Sequence, residues 1–147
     1  MHTYTSIYLH VVFATWNRQP SLDVDIRPRV HAYTAATARN LGIADVYAGG
    51  HADHIHLLGR FDSAKAPSSV VGELKKSVTD WIRDELKLAA FRWQRGFSAF
   101  SVSRDRVGSV ARYVQGQEEH HRSKDFREEL QTLLRQCGVA LEDVHLL

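Results

Sequence analysis

The segment HADHIHLLGRF, residues 51–61, carries three histidines in six positions, and two of them, His54 and His56, are separated by a single isoleucine. Its apolar residues alternate as in a β-strand, where successive side chains point to opposite faces. On that reading Ile55, Leu57 and Phe61 share one face, and His54 and His56 share the other. Paired imidazoles on one face suit a divalent ion, because histidine is the commonest metal ligand at neutral pH. A useful site needs a third ligand. His51 falls in the preceding turn and is left out of the site.

A source for that ligand lies in RYVQGQEEHH, residues 112–121. Tyr113 and Gln117 are four residues apart, so on a helix they stand one above the other. At about 100° per residue the apolar stripe of this helix is Val107, Val110, Ala111 and Val114, with Tyr113 and Gln117 together on its flank. Taken alone, a tyrosine at the edge of a core with a glutamine beside it is an ordinary helical feature.

The elements that must position these groups alternate in period. TYTSIYLHVVFAT reads as a central strand, with Ile7, Leu9, Val11 and Phe13 set against Tyr8, His10 and Val12. DIRPRVHAYTAATARNLGI reads as a helix, with Ile26, Val30, Tyr33, Thr37 and Leu41 in register, Pro28 in the first turn and Gly42 as the stop. A short strand, IADVYAGG, then leads through a turn at Gly49 and Gly50 into the histidine strand, which makes a hairpin. PSSVVGELKKSVTDWIRDEL is a second helix, with Val71, Leu74, Val78, Ile82 and Leu86 on one stripe and Lys75 and Lys76 toward solvent. GFSAFSVS is a fourth strand. Ser103 is placed to cap a helix over residues 104–121, and Ser123 to cap a last one whose stripe is Phe126, Leu130, Leu133 and Leu134. The order is βαββαβ with two further helices. This is the α+β, ferredoxin-like split βαβ pattern, a four-stranded antiparallel sheet with two helices on one face and the other face free for a site.

Composition limits the possibilities. The chain has 147 residues, which suits one domain spanning 1–147, and it is 44% hydrophobic and 24% charged. It has no apolar run of membrane-spanning length, and its first residues lack the pattern of a signal peptide. The single cysteine, Cys137, excludes an internal disulfide and points to a reducing cytoplasm. A net charge of +2 and a pI near 8.8 are compatible with a nucleic-acid partner without requiring one.

DHIHLL and YVQGQ, in that order and at this separation, resemble the His-hydrophobic-His and Tyr-x-x-x-Gln motifs of small bacterial insertion-sequence transposases of the single-tyrosine HUH type and their relatives associated with repetitive extragenic palindromes. YLHVVFATWNRQP resembles the opening strand and loop of these proteins, and QEEHHRSKDFREEL the segment after their tyrosine. Gly116 departs from the pattern, since a glycine inside a helix costs about 1 kcal/mol and loosens that turn. The resemblance implies a DNA transposase and endonuclease in which His54, His56 and Gln117 hold Mg²⁺ or Mn²⁺ and Tyr113 attacks the scissile phosphate. The product is a 5′-phosphotyrosine and a free 3′-hydroxyl, which the reverse attack rejoins. The implied substrate is single-stranded DNA with hairpin ends. Arg18, Lys65, Lys75, Lys76, Arg104, Arg106 and Arg112 are the corresponding candidates for phosphate contacts, with Arg106 on the same flank as Tyr113, and Trp16, Trp93 and Phe97 are candidates for base stacking.

Other classes stay open on the sequence. One is a domesticated or non-catalytic nucleic-acid-binding module on the same fold; no RNP-like signature supports an RNA-binding version. Another is a hydrolase in which the histidines activate water with Asp53, although a strand would turn Asp53 to the face opposite His54. The helix bearing Tyr113 and the last helix also lack an obvious apolar partner. Together with the insertion-sequence relatives, this leads to the expectation of a homodimer with sites shared in trans.

Overall fold

The computed structural model describes residues 2–120 and 125–139. β1 (Ile7–Ala14), α1 (Arg27–Asn40), β2 (Ala44–Gly50), β3 (His54–Phe61), α2 (Pro67–Glu85) and β4 (Ser98–Val102) follow one another as βαββαβ. The sheet order is β2-β3-β1-β4, and every neighbouring pair is antiparallel. The expected split βαβ arrangement is thus the one found, with the histidine strand in the interior of the sheet.

Strand parity divides the sheet into two faces. Val11, Phe13, Ile55, Leu57 and Phe61 point to the layer of α1 and α2, where they pack against Val30, Ala38, Val71, Leu74, Val78 and Ile82. α2 starts at Pro67 and buries the stripe its spacing implies. α1 differs from expectation, burying Val30, Thr34, Ala35 and Ala38. Alanines let this helix approach closely, so Tyr33 is moved to the margin and stacks on Trp81 at 4.4 Å. Lys75 is half-buried rather than solvated, and its ammonium donates to the carbonyls of Gln94 and Gly96 at 2.8 and 2.7 Å.

The second face is not free. α3 (Val107–Gln115) lays Val107, Ala111 and Val114 on Tyr8 and Leu58. α5 (Phe126–Gln136) lays Phe126 and Leu134, with Leu130 and Leu133, on Val12, Ala14 and Phe100. Both apolar stripes therefore find a partner in their own chain.

Local details explain three further differences. The expected helix over 104–121 is interrupted: Arg104–Arg106 is a 3-10 turn, α3 ends at Gln115, and a short α4 (Gln117–His120) follows. Gly116 marks the break, its N–H shared between the carbonyls of Arg112 and Tyr113 at 2.9 and 3.3 Å. Ser103 occupies the N-cap position, but its hydroxyl makes no capping bond. Ser123 lies outside the described residues, and α5 is capped instead by Asp125, which accepts from the Glu128 N–H at 2.9 Å.

The hairpin turns at residues 51–53, not at the glycines. Gly49 and Gly50 pair with His56 and Ile55 inside the sheet. Gly49 is needed there because α3 crosses directly above it: a Cβ would lie 1.9 Å from the Val114 carbonyl oxygen. Among the described residues no helix is long and apolar enough to cross a membrane.

Candidate active site

His54 and His56 stand on β3 beneath α3 and α5, and both are fully buried. Their Nδ1 atoms are tied from behind. His54 Nδ1 lies 2.7 Å from Asp53 Oδ1, and His56 Nδ1 lies 2.7 Å from Nε2 of His10. Asp53 precedes the strand, so its carboxylate folds back to His54 instead of pointing to the opposite face. That geometry makes it an orienting group for the imidazole. It is the role a carboxylate plays behind a metal-binding histidine.

The Nε2 atoms face forward into a shared set of acceptors. His54 Nε2 is 3.1 Å from Gln117 Oε1 and 3.3 Å from Glu129 Oε1, and His56 Nε2 is 3.0 Å from the same Glu129 oxygen. Gln117 and Glu129 are each 1% exposed. Gln117 reaches this position from the turn after Gly116, and its amide donates to the Tyr113 carbonyl at 3.3 Å. The other Glu129 oxygen accepts a hydrogen bond from the Tyr113 hydroxyl. The Tyr113 ring stands edge-on to His56 and His10, with centroids 5.6 and 6.0 Å away.

The electrostatics follow from this packing. Burial opposes an imidazolium at His54, but the hydrogen bonds and charges of Asp53 and Glu129 outweigh it and raise the pKa to about 9. Burial and the neighbouring His56 push His10 down to about 3, leaving it a neutral partner able to accept from or donate to His56. Burial, then the Glu129 hydrogen bond and charge, move the Tyr113 hydroxyl well above its ordinary value.

The donor set fits a divalent cation. Ligand atoms of His54, His56 and Glu129 all lie within 4.8 Å of one another, and Gln117 adds a neutral oxygen. Two imidazole nitrogens with oxygen donors suit a small hard or borderline ion, and the Nδ1 partners already present the Nε2 atoms to one point.

Beside Tyr113 a cavity of about 420 Å³ opens between α3 and α5, lined in part by His10, Arg106, Ser109, Glu129, Thr132 and Gln136. Of the expected phosphate contacts, Arg106 borders this cavity. Arg104 lies in the same 3-10 turn as Arg106, just before α3, its guanidinium 5.9 Å from the Tyr8 ring, and Arg112 is exposed on α3. Arg18 ends the 3-10 turn after β1, next to Trp16, on which Arg92 stacks at 3.9 Å. Lys75 and Lys76 belong to α2, across the sheet from the histidines. Lys65 is also away from the site, donating to the Leu41 carbonyl at 2.9 Å. Trp93 is a core residue packed on Phe13 and Phe91, and Phe97 is exposed.

Sequence reasoning missed His10 and Glu129. Both carried a signal. His10 has the parity of the site face on the neighbouring strand, and Glu129 is a carboxylate on the apolar stripe of α5, between Phe126 and Leu133. A second support was also unforeseen: buried Arg27 pairs with Glu118, whose other oxygen lies 3.5 Å from His51 Nε2. These contacts link the start of α1, α4 and the hairpin turn, and so hold the segment that carries Gln117.

The sequence pattern of the IS200-like transposases matches residues 3–117. The chain belongs to this transposase family. Among solved structures it is similar to a candidate transposase from Deinococcus radiodurans R1, with 18% identity, a TM-score of 0.62, and coverage of 80% of this chain and 95% of that one. It is also similar to a REP-associated tyrosine transposase solved bound to a REP hairpin, with 16% identity, a TM-score of 0.50, and coverage of 78% and 70%. At these identities the likeness is one of fold. No curated protein matches the chain.

Proposed function

We propose that this transposase cleaves and rejoins single-stranded DNA at hairpin-containing ends, as one domain of residues 1–147, with Tyr113 as nucleophile. The observation that carries the reading is the convergence of the Tyr113 hydroxyl, two imidazole nitrogens, an amide oxygen and a carboxylate within one chain. Membership of the transposase family supports the reaction class, and the hairpin-bound relative supports the form of the DNA.

His54, His56 and Gln117, joined by Glu129, would hold Mg²⁺ or Mn²⁺. Such an ion polarises the scissile phosphate and offsets its developing charge. The Tyr113 oxygen attacks phosphorus from the wall of the cavity, the Tyr O–P bond forming as the P–O3′ bond breaks, with the phenolic proton passing, net, to the departing oxygen, which leaves as the free 3′-hydroxyl. The 5′-phosphotyrosine conserves the bond energy for rejoining by a 3′-hydroxyl. Arg106, at the cavity rim, contacts the entering phosphates, with Arg104 and Arg18 further along the strand. Lys75 and Lys76 are not part of this path, since they lie on the far layer. This reading places the site in cis, which is supported by Tyr113 lying over the histidines of its own sheet. A reducing cytoplasm suits the exposed thiol of Cys137.

The test uses a labelled single-stranded oligonucleotide carrying a hairpin. The parent protein with Mn²⁺ forms a denaturation-resistant adduct, EDTA abolishes it, and Tyr113→Phe forms none while still binding the DNA. An adduct formed by Tyr113→Phe refutes the assignment of the nucleophile.

A further inference from the structure

The match to the family pattern covers residues 3–117. α5 lies beyond it, yet it inserts a carboxylate into the centre of the site. Glu129 is 1% exposed on an otherwise apolar helix face. A buried carboxylate is expensive unless each oxygen is paired. Here the two oxygens have different partners: Oε1 faces the Nε2 atoms of His54 and His56 at 3.3 and 3.0 Å, and Oε2 accepts from the Tyr113 hydroxyl. A carboxylate serving only as an ion-pair partner for the histidines has no need to reach the tyrosine oxygen.

The helix is held on both sides of this residue. Phe126 stacks on the His54 ring with centroids 4.5 Å apart, Asp125 caps the first turn, and Leu134 is buried against the sheet. The cavity beside Tyr113 has α3 as one wall and α5 as the other, and Tyr113 and Glu129 both line it.

We propose that Glu129 is a catalytic residue that sets the position of the nucleophile relative to the metal-binding pair, one oxygen holding the Tyr113 hydroxyl while the other faces His54 and His56. This rests on the reading of Tyr113 as nucleophile. A single rigid side chain then fixes the distance between attacking oxygen and cation. A misplacement of about 1 Å in such an arrangement costs on the order of 100-fold in rate.

The experiment compares full-length parent protein, Glu129→Gln, Glu129→Ala and Tyr113→Phe, with Mn²⁺ and a hairpin-bearing single-stranded oligonucleotide. Four quantities are read: adduct formation in single turnover, DNA affinity, Mn²⁺ affinity by calorimetry, and melting temperature. Glu129→Gln is isosteric and keeps the helix packing. At saturating Mn²⁺ its amide oxygen turns to the cation, which leaves the NH₂ facing the tyrosine hydroxyl, so the nucleophile loses its acceptor. The expected result is a loss of about 100-fold in adduct rate that persists at saturating Mn²⁺. Mn²⁺ affinity falls about 10- to 100-fold, while DNA affinity stays near the parent value. Glu129→Ala loses at least as much, and should it fail to fold, the glutamine variant carries the test. Full recovery of Glu129→Gln by added Mn²⁺ overturns the proposal, since the carboxylate is then a ligand alone. Unchanged or faster adduct formation by either folded variant overturns it too. Because Tyr113→Phe is measured alongside, an adduct from that variant marks failure of the nucleophile assignment itself, distinct from failure of the role of Glu129.

Discussion

Replacing Gly49 by alanine tests whether the backbone of β2 sets the height of the tyrosine helix. The added Cβ would lie 1.9 Å from the Val114 carbonyl oxygen and 2.8 Å from its carbonyl carbon, whereas real Cβ atoms essentially never approach another atom within 3.0 Å. Strand and helix must therefore part by at least about 1.1 Å, against backbone that no rotamer change relieves. β2 is fastened to β3 by strand pairing at Gly49–His56 and Gly50–Ile55, while α3 is seated on this face by the packing of Val107, Ala111 and Val114, so α3 is the element expected to move. Tyr113 precedes Val114 and moves with it. Overpacking of this kind costs about 1–3 kcal/mol of stability. On the proposed reading of Tyr113 as nucleophile, a displacement of about 1 Å there costs on the order of 100-fold in rate.

The assay is single-turnover adduct formation at saturating Mn²⁺ and DNA, read beside the urea midpoint. Gly72→Ala is the control, since a Cβ there meets nothing within 4 Å and lies in the interior of α2. It should stabilise the protein by about 0.5–1 kcal/mol and leave the rate unchanged. A Gly49→Ala protein with parent rate and parent stability refutes the argument that α3 is seated on this glycine.

Two further outcomes are expected. In chelator, stability should fall on both sides of neutrality. Below about pH 6.5 the unfolded chain binds protons that His10 and His31, held at about 3 and 4 by burial, do not take up when folded. Above about pH 6.5 the contribution of His54 is lost as pH rises through its folded value of about 9, at up to roughly 1.4 kcal/mol per pH unit. Urea midpoints from pH 4 to 10 measure this, and a flat profile between pH 7 and 9 refutes the Asp53–His54–Glu129 arrangement. For the cis site, mixing Tyr113→Phe with His54→Ala protein after verified subunit exchange should leave cleavage absent; recovered adduct formation would establish a shared site.

The fold was legible wherever one period dominated. Alternation in residues 7–14 and 54–61 gave the strands and, through parity, the face on which His54 and His56 stand. The stripe Val71, Leu74, Val78 and Ile82 gave α2. Legibility failed where a residue serves two demands. Gly49 and Gly50 look like a turn, but they are strand residues: Gly49 leaves room for the Val114 carbonyl of the helix above it, and a Cβ on Gly50 would lie 2.3 Å from the His54 carbonyl oxygen. Tyr33 looks like a core position on α1, but alanines pack closer. Lys75 looks solvated, yet its long stem passes under the loop to reach two carbonyls. The histidine pair, Tyr113 and Gln117 were readable as spacing. Their partners were not, because His10, Asp53 and Glu129 approach the cluster from another strand, a turn and a helix far apart in sequence.

That separation bears on why one chain can hold the whole site. The second face of the sheet presents His10, His54 and His56 in a patch bordered by Tyr8, Val12, Leu58 and Phe100, so polar and apolar groups must be covered together. α3 covers the apolar side toward Tyr8 and Leu58, and its flank brings Tyr113 over the imidazoles. α5 covers the side toward Val12 and Phe100, and the same apolar stripe brings Glu129 in behind. Hydrophobic burial thus supplies the force that seats both helices, and the polar groups ride on it into position. A helix seated by its own sheet in this way presents its tyrosine to its own histidines. An exchange between subunits would have to release Val107, Ala111 and Val114 from Tyr8 and Leu58 before it could deliver Tyr113 elsewhere.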